Sequence, residues 1–231
     1  DASCKRICSE FDILVANMNE AMLFVHDMFH CVEKILWWVH ESNWEEYQLH
    51  YRYQGELLKA VQGSVFVTQR SKANYKNLML QNSVVIGNSF DGSKINRAVG
   101  LRAMYRKQLG LGTRDVLVMQ IGTIVSHKQQ VRTVQAIRQA MKEQNSDQSR
   151  NTKINLIMVG NTRLNPQYEN EVYAQISPFG EDSVANNVVV HDKTSDTAKY
   201  FEAADLYILP STLESFGLTL LEATMYGLPI I

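Results

Sequence analysis

Short apolar runs recur along the chain, each followed by a longer amphipathic stretch. This rhythm restricts the fold more than any other feature. The spacing predicts strands over Asp12–Met18 (DILVANM), Ile35–Val39 (ILWWV), Ser64–Thr68 (SVFVT) and Ser83–Gly87 (SVVIG), then over Asp115–Ile121, Ile154–Val159, Asn187–Val190 and Asp205–Leu209. It predicts helices over Asn19–Glu33, Trp44–Gln62, Ser71–Leu80, Lys128–Glu143, Pro166–Ile176, Ser195–Ala203 and Phe216–Tyr226. The strand segments are unbroken apolar runs, as expected where helices cover both faces of a parallel sheet. Two successive sets of such units imply an α/β chain of two Rossmann-like parallel-sheet domains, residues 1–90 and 91–231. The seam is expected in Asn88–Gly92, with Gly110 and Gly112 marking a second place for it, and the polar run Glu143–Lys153 reads as a solvated loop. The chain opens at Asp1 without a methionine and stops at Pro229-Ile230-Ile231, which reads as half a buried strand. Both domains are therefore expected to be incomplete.

Composition narrows the function classes. Of 231 residues, 45% are hydrophobic and 20% charged, which suits a globular chain with a real core. A net charge of −1 gives no basic field for a polyanion, so nucleic acid is excluded as a partner. Three cysteines, Cys4, Cys8 and Cys31, argue for free thiols and a cytoplasmic setting. No apolar run approaches the roughly 20 residues of a membrane span. Peripheral attachment to a membrane finds no supporting basic amphipathic helix.

In an open parallel sheet, ligands sit beyond the carboxyl ends of the strands, where helix N-termini favour phosphate. Three strand ends stand out. Gly122 to Lys128 follows the strand ending at Ile121; Gly122 lets backbone approach a ligand, Thr123 follows it, and Lys128, opening the next helix, is a candidate phosphate partner. A turn glycine and a solvated lysine explain the same residues. Pro210 to Glu222 follows the Leu209 strand. The N–H groups of Ser215, Phe216 and Gly217, in a first helical turn, suit a diphosphate, and the Glu214 and Glu222 carboxylates suit vicinal hydroxyls. A helix-dipole partner and a surface charge are the plainer alternatives. His40, after ILWWV, is a candidate donor to phosphate or sugar, or part of a helix N-cap region. His26 and His30 have helical spacing but lack the glutamate of a zinc-binding HExxH helix. Trp37 and Trp38 read as strand core, and Tyr47, Tyr51 and Tyr53 as helix packing.

The stretch ESFGLTLLEATMYGLP, with Glu214 and Glu222 in E-x7-E spacing, resembles the donor-binding motif of retaining GT-B glycosyltransferases of the GT4 type. AADLYILPS before it resembles the family's strand and turn. Gly122 and Lys128 match its phosphate loop, although Thr123 stands where many members carry arginine, and Gln129 where a glycine often follows the lysine. Ile157-Met158-Val159-Gly160-Asn161 looks like the strand ending at a glycine near the nucleotide. Asn88 to Asp91 resembles the junction segment without its glycine, and WWVHE the strand whose histidine lies near the donor. The resemblance implies sugar transfer from a nucleotide diphosphate sugar, UDP- or GDP-linked, to an acceptor hydroxyl on a glycan, lipid or small molecule, with anomeric retention. It implies no cofactor and no metal ion. It makes Lys128, Glu214 and His40 catalytic, and Gly122, Thr123, Gly160, Ser215, Phe216, Gly217 and Glu222 donor-binding. A non-catalytic binding or scaffold protein on the same frame is the rival, and an epimerase or phosphorylase is a second.

Overall fold

The computed structural model of the protein describes residues 6–7, 9–26, 31–32, 34–42, 58–78, 80–92, 100–145, 152–176 and 187–231. The chain divides into two compact units, one of Asp1–Ser89 with Glu214–Gly217, the other of Phe90–Leu213 with Leu218–Ile231.

The first unit carries a parallel sheet of β1 (Ile13–Ala16), β2 (Lys34–Val39), β3 (Val61–Phe66) and β4 (Ser83–Val85), paired in chain order. Helix α1 (Ala21–His26) presents Met22 and Val25 to the face formed by Ala16, Ile35, Trp37, Val39 and Phe66. Helix α2 (Gln69–Asn74) is capped by Thr68, whose hydroxyl oxygen accepts the Ser71 N–H at 3.0 Å. Tyr75 then drops into the same core, edge-on to Trp37, and receives a 2.9 Å hydrogen bond from buried Asn19. The opposite sheet face differs from the expectation of cover on both sides. Ile13, Val15, Leu36 and Val84 lie on it, 36–51% exposed. The reason is alternation: β2 buries every second side chain, because α1 and α2 both pack on one face.

Two local expectations change here. Helix was predicted through Gln62, but β3 begins at Val61, since Val61 pairs with Ile35 and the Gln62 side chain accepts the Ile35 N–H at 2.6 Å. Cys31 is exposed and disulfide-bonded, not a buried thiol. That removes the support cysteine usage gave to a reducing, cytoplasmic setting. Cys4, Cys8, His30, Tyr47, Tyr51 and Tyr53 lie outside the described residues.

The second unit carries β5 (Val116–Ile121), β6 (Ile154–Val159), β7 (Val188–His191) and β8 (Leu206–Tyr207), all parallel, in the order β7-β6-β5-β8. Helices α4 (Gln130–Asn145) and α5 (Pro166–Ile176) pack on one face through Val134, Ile137, Met141, Tyr168 and Val172. Helices α6 (Ala198–Ala203) and α7 (Leu218–Met225) pack on the other through Tyr200, Phe201, Ala203 and Ala223. Here the expected double cover is present. Helix α3 (Arg102–Gln108) was not predicted, because its polar sequence read as part of a seam. Its Arg102 and Arg106, one helical turn apart, both reach the Asp205 carboxylate, at 2.5 Å and 2.9 Å. At the far end of the chain Ile230 bridges Tyr207 in parallel, and Ile230 and Ile231 are exposed. No helix among the described residues is long and apolar enough to cross a membrane.

Candidate active site

The strand order of the second unit reverses at β5. The chain steps outward through β6 and β7, then returns to lay β8 on the other side of β5. Loops leaving adjacent strands in opposite directions part from each other, and the crevice between them is where open α/β sheets hold ligands. The two loops at this reversal are Gly122–Gln129 and Pro210–Leu213.

They are tied together. The Thr212 N–H donates to the His127 carbonyl at 2.9 Å. Lys128 does not open a helix, as its sequence suggested. It closes a 3-10 turn over Ser126–Lys128, and α4 starts at Gln130. Gln129 between them is left-handed, with φ 58° and ψ 35°. That conformation is what a glycine would adopt without strain, which explains the residue type usual at this position in the resembling family. The Lys128 methylenes pass over Gly122, lying 3.8 Å from where a Cβ would stand.

Beside this loop the ends of β5 and β6 meet backbone to backbone. A Cβ on Gly160 would fall 1.8 Å from the Gly122 carbonyl oxygen. The Gly122 N–H donates to Val159 O at 2.9 Å and the Gly160 N–H to His191 O at 3.0 Å. The three strand ends therefore form one continuous rim. His191 completes it, its Nδ1 2.8 Å from the Tyr200 hydroxyl, and burial with the nearby Lys199 charge lowers its pKa. Sequence reasoning missed His191; a histidine ending a predicted strand was the available signal.

Glu222 sits on α7, half-buried, next to Ala223 in the core. Burial raises its carboxyl pKa above the ordinary range. Ser211, in the turn after β8, holds a buried hydroxyl with no hydrogen-bond partner among the described residues. Ser215, Phe216 and Gly217 do not form a first helical turn. Gly217 takes φ 75° and α7 begins at Leu218, so these three residues form the turn before it. With Glu214 they cluster in the first unit, where Phe216 lies against Gly87, 3.4 Å from the place of its missing Cβ.

In the first unit His40 directly follows β2. Its Nε2 lies 2.9 Å from Asn17 Oδ1, and its ring stacks on Trp38 at 5.7 Å. Neighbouring Glu41 accepts the Asn19 N–H at 3.0 Å, and burial first, then the Glu20 charge, raise its pKa. No group of three or more His, Cys, Asp or Glu side chains among the described residues is arranged to hold a metal ion.

The segment that builds the glycine rim and the lysine loop, and that carries the half-buried Glu222, falls within the match to a protein family. The family of glycosyl transferases group 1 matches residues 102–231. The chain belongs to that family. Among solved structures, the Anabaena Alr3699/HepE protein in complex with UDP and glucose is similar over 98% of this chain and 61% of its own, with 20% identity and a TM-score of 0.82. Sucrose-phosphate synthase from Thermosynechococcus elongatus is similar over 98% and 57%, with 17% identity and a TM-score of 0.74. WaaG, a glycosyltransferase involved in lipopolysaccharide biosynthesis, is similar over 91% and 62%, with 19% identity and a TM-score of 0.67. These likenesses show the fold, two Rossmann-like parallel-sheet units of the GT-B kind. The chain spans 57–62% of the length of these structures. No curated protein sequence matches it.

Proposed function

We propose that the chain is the nucleotide-sugar-handling part of a retaining, metal-independent glycosyltransferase of the GT4 type, which moves a sugar, a hexose or a related one, to an acceptor hydroxyl. The observation that carries this reading is the Thr212–His127 hydrogen bond at the strand reversal, which holds the lysine loop beside the turn that leads into the glutamate motif. When a nucleoside diphosphate departs, negative charge builds on its phosphates. Lys128 is a preorganised donor for that charge, which is the work a metal ion would otherwise do. Glu222, still ionisable and half-buried, suits the ribose hydroxyls. Glu214 and His40 are assigned to the transferred sugar by the resemblance alone, as are Ser215, Phe216 and Gly217 to the diphosphate. The Anabaena structures with UDP and with UDP-glucose favour a uridine donor.

Calorimetric titration of the protein with UDP, GDP and ADP tests the reading. Saturable binding of UDP, with weaker GDP and ADP, is the expected result. Absence of binding by all three would favour a scaffold on the same frame. Product analysis with an anomerically labelled donor then decides retention; an inverted product would overturn that part.

A further inference from the structure

Two glutamines sit where the fold calls for apolar side chains. Gln120 lies in β5 between Met119 and Ile121, 1% exposed, on the face that Val118 shares with α4. Gln130 opens α4 and is 0% exposed. Neither belongs to the glutamate motif or to the glycine rim. Each spends its amide N–H on the same loop. Gln120 Nε2 donates to the Lys128 carbonyl at 2.8 Å, and Gln130 Nε2 donates to the Thr123 carbonyl at 2.8 Å. The two amides thus grip the loop from beneath at both ends, at the residue after Gly122 and at the lysine itself. Each leaves its Oε1 buried without a hydrogen-bond partner among the described residues. A buried amide oxygen left unpaired costs free energy that an apolar side chain of equal size avoids. Packing alone would favour leucine or methionine at both places. What the amides add is a fixed loop path.

We propose that Gln120 and Gln130 are positioning residues that preorganise the Gly122–Gln129 loop for phosphate, acting through the backbone of Lys128 and Thr123. The inference rests on the proposed function for its ligand, though not for the geometry. Preorganised donors hold their value only if the loop does not have to reorder when charge develops.

Gln120→Met and Gln130→Met keep length and volume while removing the amide. Hydrogen exchange of the whole chain gives the first readout. The expected result is faster exchange of amides 122–129 by about tenfold, with Leu117 to Met119 unchanged. Unchanged loop exchange, or equal acceleration in the strand, would assign the glutamines to fold support and overturn the inference; so would failure of both variants to fold. UDP titration gives the second readout. Gln120→Met should weaken UDP on the order of tenfold, and should have no further effect once Lys128→Ala is present. Additive losses in that double-mutant cycle would overturn action through Lys128. If the parent protein binds no UDP, the proposed function fails, while the exchange measurement still decides whether the amides shape the loop.

Discussion

The two ends of the second sheet are built on opposite rules. At the amino ends of β5 and β8, Asp205 accepts hydrogen bonds from Arg102, Arg106 and the Leu117 N–H. Arg106 also donates to the carbonyls of Ala203, Gly112 and Asp115, so both terminal nitrogens of this buried guanidinium are engaged. Among the described residues, Glu202 alone leaves a buried side-chain oxygen unmatched there. At the carboxyl ends, glycines replace side chains, a non-glycine residue takes a left-handed turn, and Gln120, Gln130 and Ser211 keep buried oxygens without partners among the described residues. One end is densely paired and the other leaves more of its buried polar groups unmatched. Polar satisfaction stabilises the fold, whereas unmatched groups and exposed backbone amides are what a ligand needs to find.

Substitutions at each end should separate these roles. Gly160→Ala strikes backbone, not a yielding side chain, and is expected to destabilise the protein by about 3 kcal/mol, measured by urea denaturation, with UDP binding lost alongside. A fully stable alanine variant would break the claim that the rim is close-packed. Arg106→Ala should cost about 3 kcal/mol because it strands part of Asp205, yet leave UDP affinity within twofold once folded. A loss of affinity at equal stability would erase the contrast. Lys128→Ala in a complete enzyme should lower turnover by about 10²-fold, with little change in stability. Near-normal turnover would remove the lysine from the chemistry.

The pH dependence sharpens the carboxyl end of that contrast. Burial raises the Glu222 pKa above 4.5, so the folded state holds this proton more tightly than the unfolded chain. The stability it contributes is therefore complete below that value and declines as pH rises through the folded pKa. Hydroxyl recognition needs the carboxylate, so UDP affinity should rise, by about tenfold, over the window in which stability falls. Glu222→Gln should flatten both curves. A pH-independent UDP affinity in the parent protein would take Glu222 away from the ribose.

Much of this was legible in the residues. Each of the eight predicted strands overlaps an observed one, because the parallel strands are dense apolar runs even in the first sheet, where one face is part-exposed. α5 was read to the residue, since Asn165 accepts the Tyr168 N–H and Pro166 opens the helix. Helix starts near the site were misread at Lys128 and at Ser215. Both precede left-handed residues, Gln129 and Gly217, and only the second is a residue type that announces such a turn. α3 was invisible because its role is set by Asp205, about a hundred residues away. The two buried glutamines were unreadable for a related reason. An amide inside an apolar run shows its purpose only when its partner carbonyl is known.

Gln129 carries one more consequence. A side chain held at φ 58° is strained, and its own amide donating to Ser126 O at 2.7 Å offsets part of that cost. Gln129→Gly should accordingly raise thermal stability slightly, by under about 1 kcal/mol, without altering the path of the main chain. The route from Ser126 into α4 is thus fixed by its hydrogen bonds, and a glycine would follow the same trajectory with less strain.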